Sequence, residues 1–520
     1  MADTKREIER KYESGDSELP DLTGVPGVES VVDRGVTHLD ATYYDTADER
    51  LAAASLTLRR RTGGSDAGWH LKFPVAPGVR DEIRAPLSDT LPESLARLVR
   101  SRVRDTELKP VVRLRSDRDL RHLLDAAGRL LAEISVDTVR AERLTGHGGT
   151  AQWTEIEVEL ADDGDPAFLD KVGKRLRKAG VRPSKAASKL ARALAETAPP
   201  AGLPEEAAPA PAPAPAAAPK RRHRSRPVGK PVDAGDHVLA YVRAQRDALV
   251  DLDPAVRQDV PDSVHRMRVA TRRLRSTFRS FRSVLDRETT DPIGVDLKWL
   301  AAELGLDRDQ EVLAERLTSA LGELPDTLVL GPVRERLASW SEAGHRGAHS
   351  EVTAILDSRR YLSLLDTLDA LLADPPLRKK AARDPGKVLA KAVSEDLAKV
   401  AGLVVRALDL PPGHDRDVAV HEARKKTKRT RYAAEAAAPA LKGPARDLVK
   451  DMKTLQSLLG DHQDSVMARQ TLRELSAVAH AAGESAFTYG LLHGHEERRA
   501  EIVEAALPET WTRIRNGTAF

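Results

Sequence analysis

The N-terminal part of the chain repeatedly alternates charged and apolar residues with a period of two. Because successive side chains of a strand point to opposite faces, such segments predict strands with both signs of charge on one face and apolar residues on the other. The segments lie at residues 7–11, 31–46, 56–61, 69–72, 80–84, 111–124, 133–137 and 154–160. Helices are predicted at residues 47–53, 93–101, 166–179 and 185–196. The pattern predicts a domain of seven or eight strands that closes with two helices.

The last of these segments bears on how the strands assemble. It places Glu155, Glu157 and Glu159 on one face and Ile156 and Val158 on the other. Three carboxylates at this spacing repel one another unless a cation lies between them. A closed barrel with its charges inside and its apolar faces under helices would meet this requirement. An open sheet that shows its charged face to water is the alternative, because periodicity fits both.

Six motifs follow one another in this region: Glu7-Ile8-Glu9-Arg10-Lys11, Tyr44-Asp45-Thr46, Leu58-Arg59-Arg60-Arg61, Leu71-Lys72, Arg80-Asp81-Glu82 and Glu155-Ile156-Glu157-Val158-Glu159. As an ordered set they resemble the CYTH domain, the family of triphosphate tunnel metalloenzymes. The match covers about residues 1–195, and we set the domain at residues 1–197. The resemblance implies an eight-stranded antiparallel β-barrel whose tunnel binds a triphosphate with Mg or Mn and commonly hydrolyses it.

The resemblance also assigns roles to individual residues. The carboxylates implied to hold metal are Glu7, Glu9, Asp137, Glu155, Glu157 and Glu159. The cations implied to bind phosphate oxygens are Lys11, Arg59, Arg61, Lys72, Arg113 and Arg115, with Lys185 or Lys189 from the closing helix. Glu7, Glu9 and Lys11 would carry the catalytic role. Such a set suits triphosphate chemistry, in which the protein positions the phosphates and stabilises their charge. For Arg80, Glu82 and Arg84, phosphate contact and an internal ion-pair lattice are equal alternatives.

Residues 198–231 separate this region from the rest of the chain. They consist largely of Ala and Pro and end in a basic run at residues 220–226. This composition predicts an extended, semi-rigid linker that buries no core. The basic run is either an auxiliary anion contact or a solvated linker.

The period changes to that of helices in residues 232–520, and the sequence there repeats itself. Residues 264–275 return as residues 420–431, and Leu-Gly elements at residues 304–309 and 459–464 follow at matching distances. Two related helical halves are therefore predicted. Asp309 and Asp464, in the second elements, are expected to cap helices or to brace arginines.

The first copy of this repeat carries a basic stripe. Steps of three and four residues align His265, Arg268, Arg272, Arg275, Arg279 and Arg282 on one helix face, and the second copy repeats His421, Arg424, Lys428 and Arg431. Basic residues with no acid among them repel one another, so the stripe indicates an anion site.

The two copies resemble the CHAD domain, a helical domain named for its histidines. The family implies two pseudo-symmetric all-α bundles around a basic groove that binds inorganic polyphosphate. The residues implied to bind it are His265, Arg268, Arg272, Arg273, Arg275, Arg279, His421, Arg424, Lys425, Lys428, Arg429 and Arg431. The second copy has Glu435 and Ala438 in the places of Arg279 and Arg282, which predicts a lopsided groove.

Composition narrows the functional classes. The 83 Lys and Arg balance 80 Asp and Glu, so an anion site must come from local clustering. The chain has no cysteine, which excludes disulfides and thiolate metal sites. Aromatic residues are only 3%, which argues against a platform that stacks nucleic-acid bases. The sequence shows neither a signal peptide nor a membrane span, so a cytoplasmic protein, also at polyphosphate granules, is expected.

Together these features predict a multidomain α+β enzyme. Its barrel would hydrolyse inorganic triphosphate or a related compound, and its helical domain would bind polyphosphate. Alternatives are a non-catalytic polyphosphate-binding adaptor, a thiamine triphosphatase and an adenylate cyclase, because nothing in the sequence indicates how a base would be read. Nucleic acid is not an expected partner.

Overall fold

The computed structural model describes residues 3–14, 19–146, 148–198, 230–345 and 348–520. The chain divides into an N-terminal and a C-terminal compact unit. Most of the predicted linker, including its basic run at residues 220–226, lies outside the described residues.

The N-terminal unit is built from strands with a few short helices. The strands are β1 Asp3–Glu13, β2 Ser30–Asp45, β3 Thr57–Thr62, β4 Gly68–Ala76, β5 Val79–Pro86, β6 Lys109–Leu124, β7 Leu130–Arg143, β8 Thr150–Leu160 and β9 Arg182–Pro183. The helices are α1 Arg50–Ala53, α2 Glu93–Val103, α3 Ala167–Lys178 and α4 Lys189–Glu196. Each predicted strand is present, and most run longer than the sequence pattern indicated.

Eight of these strands form a closed antiparallel ring in the order β5-β4-β3-β2-β6-β7-β8-β1. β1 closes it, because its first half pairs with β5 and its second half with β8. This register places Glu7 opposite Arg80 and Glu9 opposite Glu159. The predicted barrel is thus confirmed over the open sheet.

Helices cover the outside of the barrel where its outward residues are apolar. α3 packs Val172 and Leu176 into a buried cluster with Ile156 and Val158 of β8. α2 packs Leu98 in the same manner with Leu58 and Leu71. Burial of these faces stabilises the barrel and leaves the opposite, charged faces to point inward.

α4 packs differently from these helices. Its residues Leu190 and Ala193 share a buried cluster with Val112 and Leu114 of β6. Even-numbered residues of this stretch of β6 share a face with Arg118, which lines the tunnel. α4 therefore packs against apolar residues on the inner face of the barrel, and one part of the interior is not charged.

The described residues of the C-terminal unit are helical apart from loops and one isolated β-bridge. The helices are α5 Ala234–Arg257, α6 Ser263–Ser280, α7 Arg287–Glu303, α8 Leu306–Gly322, a 3-10 turn Asp326–Leu328, α9 Val333–His345, α10 Ala348–Asp357, α11 Arg359–Ala373, α12 Pro385–Asp409, α13 His414–Leu441, α14 Gly443–Ala481 and α15 Phe487–Gly517. Local signals start several of them. Asp233 forms a capping box with Asp236, and Asp384 caps α12 just before Pro385.

Two cores hold this unit together. The larger core contains residues of α5, α6, α7 and α10 to α15, and the smaller core joins α8, α9, α14 and α15. The two basic copies of the repeat lie on α6 and α13, and these helices contact each other. None of the helices in the described part of the chain combines the length and the apolar character needed to cross a bilayer.

Candidate functional sites

The barrel encloses a cavity of about 210 Å³ that charged side chains line, and we call it the tunnel. Its cations are Lys5, Lys11, Arg59, Arg61, Lys72, Arg80, Arg84, Arg118 and Lys189. Its carboxylates are Glu7, Glu9, Asp66, Glu82, Glu133, Glu157 and Glu159. Cations thus predominate over carboxylates among the described lining residues, and these cations come from five different strands and from α4. This surface suits a multiply charged anion with an associated cation.

The first strand motif supplies two carboxylates with different environments. Glu7 is 3% exposed, accepts a hydrogen bond from Lys72 and lies 3.7 Å from Arg84. Burial, with Glu82 nearby, raises the pKa of Glu7 although Lys72 opposes the shift. Glu9 is also buried, yet Lys11, with its Nζ at 3.3 Å, lowers the pKa of Glu9. Of the two, Glu7 is therefore the easier to protonate.

Three more carboxylates converge beside the tunnel. Oxygens of Asp137, Glu155 and Glu157 lie within 4.8 Å of one another, which is close enough to bind one metal ion. Lys189 Nζ contacts all three, at 2.9, 2.7 and 2.6 Å respectively. These carboxylates raise the pKa of Lys189 far above its usual range despite burial. Because hard divalent cations prefer carboxylate oxygens, the donor set fits a cation of this class.

Local sequence positions Lys189 for this contact. Ser188 caps α4, and its hydroxyl accepts a hydrogen bond from the Ala191 amide at 3.0 Å. The cap fixes Lys189 at the first turn, while Leu190 and Ala193 anchor the helix in the barrel. The side chain is thereby held among the carboxylates.

Arg118 is a tunnel residue that sequence reasoning missed. Its guanidinium donates two hydrogen bonds of 2.7 Å to Asp137 and one of 3.0 Å to Glu157. These carboxylates raise the pKa of Arg118, so it stays charged. The sequence did contain a signal for it: Arg118 is in step with Val112 and Leu114 along β6, so the three side chains share one face of the strand.

The helical unit has a larger basic cavity of about 760 Å³, which we call the central cavity. Its basic residues are His265, Arg268, Arg272, Arg316, His421, Arg424, Lys425, Lys428 and Arg431. The two copies of the repeat therefore meet at one site, as the resemblance to the CHAD domain implied. Arg316, from α8, was not predicted, and Glu496 pairs with it at 2.7 Å.

The cations of the central cavity influence one another. Burial, with Arg424 and Arg272 nearby, lowers the pKa of Lys428 to about 7. Asp464 lies 3.6 Å from Arg424, so it braces an arginine rather than capping a helix. The side chain of Asp309 lies outside the described residues. A site that makes an ammonium this hard to charge favours binding of an anion.

Comparison with known proteins identifies a family for each of the two units. The CYTH domain model matches residues 5–194, and the CHAD domain model matches residues 240–473. Two uncharacterized proteins of Mycobacterium tuberculosis, MT2285 of strain CDC 1551 and Rv2226 of strain H37Rv, are 37% identical over 521 residues, covering 96% of this chain and 95% of theirs. The chain belongs to the CYTH and CHAD families.

Three solved structures each align with part of this chain. PptA from Streptomyces chartreusis aligns with TM-score 0.47 and 21% identity, over 54% of this chain and 100% of its own. The CHAD domain from the plant Ricinus communis aligns with a TM-score of 0.43 and 24% identity, over 56% of this chain and 96% of its own. HpAC1 from Hippeastrum is described as a putative adenylyl cyclase with a dominant triphosphatase activity. It aligns with a TM-score of 0.24 and 19% identity, over 37% of this chain and 98% of its own.

The structure places most of the residues predicted for the CYTH domain in or beside the tunnel. Lys11, Arg59, Arg61 and Lys72 line it, together with Glu7, Glu9, Glu157 and Glu159. Asp137 and Glu155 are buried behind Lys189. Arg80, Glu82 and Arg84 line the tunnel and pair with its carboxylates or cations, so the ion-pair lattice is present and phosphate contact stays a prediction. Of the two lysines predicted from the closing helix, Lys189 lines the tunnel and Lys185 is exposed to solvent.

Arg113 and Arg115, which the resemblance implied to bind phosphate, are not among the residues that line the tunnel. Arg113 donates hydrogen bonds of 2.9 and 2.5 Å to Asp40, and Arg115 lies 3.8 Å from the same carboxylate. Both line a separate surface cavity with Arg140. They point outward because their neighbours Val112 and Leu114 face inward, where α4 covers them.

The residues predicted for the CHAD domain divide among three places. His265, Arg268, Arg272, His421, Arg424, Lys425, Lys428 and Arg431 line the central cavity. Arg275, Arg279 and Arg429 line another cavity of about 410 Å³, which we call the second cavity. Arg273 lines neither; it donates a hydrogen bond of 3.0 Å to Glu435 and lies 5.6 Å from the ring centre of Tyr432.

Proposed function

We propose that the CYTH domain hydrolyses inorganic triphosphate, or a related triphosphate compound, with Mg or Mn. We further propose that the CHAD domain binds inorganic polyphosphate and thereby tethers the enzyme to it. The observation that carries the first part is a tunnel inside a closed barrel, in which cations outnumber carboxylates among the described lining residues. A protein held in this way would be found in the cytoplasm with polyphosphate granules.

The tunnel supports the proposal through the placement of its cations. Arg59, Arg61 and Lys72 lie on adjacent strands, and Arg118 projects from β6 into the same cavity. A linear triphosphate has oxygens along its whole length, so donors on several sides of a cavity can contact each phosphoryl group. Charge that develops during transfer is stabilised best by donors that are already in position.

The carboxylates would provide the metal sites. Asp137, Glu155 and Glu157 form the group that could hold Mg or Mn, and Glu9 and Glu159 lie opposite each other in the register of β1 and β8. A bound divalent ion neutralises phosphate charge and lowers the pKa of a coordinated water. Glu7, whose pKa is raised, is suited to hold a proton near Lys72.

The helical unit supports the polyphosphate proposal through composition and placement. Two helices from different copies, α6 and α13, present their basic faces to one cavity. Polyphosphate has one charge for each phosphoryl unit and no bases, so it needs many cations and few aromatic rings. The central cavity has this character: Tyr432 is the one aromatic residue among its described lining residues.

Hydrolysis is tested on the full chain with inorganic triphosphate and Mg or Mn. Glu7→Gln and Glu9→Gln should each abolish phosphate release, whereas Glu13→Gln, exposed at the end of the same strand, should leave it unchanged. Binding of polyphosphate should persist in all three variants. If no phosphate is released from inorganic triphosphate, ATP or thiamine triphosphate, the proposed hydrolase activity is wrong and a polyphosphate-binding adaptor is the remaining function.

Binding is tested separately with long-chain polyphosphate. Arg424→Gln with Lys428→Gln should weaken binding by about 100-fold, since each removes a charge-assisted contact. Lys450→Gln, an exposed change on α14, is the control. Equal binding by all of these proteins would overturn the assignment to the central cavity.

A further inference from the structure

The second cavity lies beside the C-terminal half of α6, where α7 and α13 approach it. Arg275, Arg279, Arg282, Lys298 and Arg429 line it. The acid among its described lining residues is Asp291, which already accepts hydrogen bonds from Arg287 at 2.7 and 3.0 Å. The cavity therefore has a large excess of positive charge.

Several observations indicate that the described residues leave this charge uncompensated. The Nε atom of Arg275 is buried and has no hydrogen-bond partner among the described residues. Burial and the neighbouring Arg279 lower the pKa of Arg275. Arg429 does have an acid, Asp396, at 3.2 Å, but Asp396 also faces Lys426 at 3.4 Å. An anion that entered the cavity would relieve the repulsion.

This cavity continues the basic stripe that enters the central cavity. Arg268 and Arg272 line the central cavity, and Arg275, Arg279 and Arg282 line the second one, along the same face of α6 and the turn that follows it. Fourteen residues separate Arg268 from Arg282, which corresponds to about 21 Å along a helix. A polyphosphate chain, but not a triphosphate, is long enough to contact both ends.

The second copy of the repeat does not offer the same path. Glu435 and Ala438 stand on α13 where α6 has Arg279 and Arg282. Glu435 lies 3.0 Å from Arg273 and 3.4 Å from Arg431, and it accepts a hydrogen bond from Tyr241. Its carboxylate would repel a phosphate chain, so the path leads in one direction only.

We propose that a polyphosphate chain bound in the central cavity continues into the second cavity, on the side of the first repeat alone. Long chains then bind more tightly than short ones because they reach Arg279, Arg282 and Lys298. This inference rests on the proposed polyphosphate binding by the CHAD domain and adds to it a basis for selecting chain length.

The experiment compares three full-length proteins. The test protein carries Arg279→Gln, Arg282→Gln and Lys298→Gln, three exposed residues of the second cavity. The control carries Arg266→Gln, Arg446→Gln and Lys453→Gln, which are equally exposed, change the net charge by the same amount and line neither cavity. The wild type is the third. Binding of long-chain polyphosphate and of inorganic tetraphosphate is measured in EDTA over a range of salt concentrations.

The test protein should lose at least tenfold in affinity for the long chain, and its salt dependence should fall by about one unit of slope for each cation removed. Its affinity for tetraphosphate should match that of the control. Equal effects of test and control on the long chain, or equal losses for both ligands, would overturn the second cavity as an extension. Absence of long-chain binding by the wild type would instead overturn the proposed function itself.

Discussion

Arg268 and Gly305 are matched to each other in the first repeat. A Cβ atom at Gly305 would lie 2.8 Å from Cζ of Arg268, so the guanidinium occupies space that any other residue would fill. The second repeat has the same relationship in a looser form, because a Cβ at Gly460 would lie 3.5 Å from Nη2 of Arg424. The glycine of each Leu-Gly element thus leaves room for an arginine of its own copy.

Gly305→Ala should therefore displace Arg268 and weaken polyphosphate binding by about tenfold, the loss expected for one charge-assisted contact. The added carbon cannot retreat, since the carbonyl oxygen of Ala301 lies 3.0 Å from it. Gly460→Ala is the matched control: its new contact is ordinary, and alanine in a helix interior adds up to about 1 kcal/mol of stability. Titration of polyphosphate against both variants checks this, and equal losses would contradict it.

Polyphosphate binding should also depend on pH through Lys428. The pKa of this lysine is about 7 in the protein, and a bound polyanion must raise it. Binding therefore takes up a proton at pH values above about 7, and affinity should fall by up to about tenfold per pH unit as pH rises there. Lys428→Arg should lose this dependence, because arginine stays charged. Calorimetry in buffers of different ionisation enthalpy measures the proton uptake, and identical uptake in the variant would refute the assignment.

Periodicity predicted the strands and helices of both units, but the closed barrel and the shared basic groove were implied by the family resemblances. Alternation predicted the strands, and the repeat predicted two related helical halves, each with a basic helix. Alternation does not say which face is inside at each point along a barrel. On β6 the charged positions Arg113 and Arg115 face outward, because Val112 and Leu114 pack against α4. That packing is tertiary, so the prediction failed at these two residues.

Other residues were out of reach for similar reasons. The sequence does not distinguish Lys185 from Lys189 as the lysine that enters the tunnel. In the structure Ser188 caps α4, so Lys189 is the first residue of the helix and reaches the carboxylates. Likewise, a continuous basic stripe does not show where one cavity ends. The structure assigns Arg272 to the central cavity and Arg275 to the second one.

The position of Arg118 and Arg113 on opposite faces of β6 gives a direct test of the tunnel. Arg118→Gln should lower kcat/KM for triphosphate by about 10- to 100-fold, since it removes a charged donor that lines the cavity. Arg113→Gln should leave kcat/KM within about twofold, because its partner Asp40 lies on the outer face. Lys189 still pairs with Asp137 and Glu157 in the Arg118 variant, so the barrel should fold, which denaturant unfolding checks. Equal effects of the two changes would contradict the assigned faces.

The stability of the barrel should depend strongly on Lys189, whose ammonium pairs with three carboxylates. Lys189→Met leaves Asp137, Glu155 and Glu157 without their shared ammonium, and removal of one partner from a buried ion pair typically costs about 3–5 kcal/mol. Lys185→Met, on the exposed side of the same segment, should change the free energy of unfolding by no more than about 0.5 kcal/mol. Denaturant unfolding measures both values.

Added Mn or Mg separates the electrostatic cause of this loss from a packing defect. A divalent ion can replace the missing positive charge among three carboxylates, so it should raise the melting temperature of the Lys189→Met protein more than that of the wild type. A second change, Asp137→Asn, should recover part of the stability without metal, because it removes one of the repelling charges. A Lys189→Met protein that responded to neither metal nor Asp137→Asn would show that the ammonium acts through packing alone.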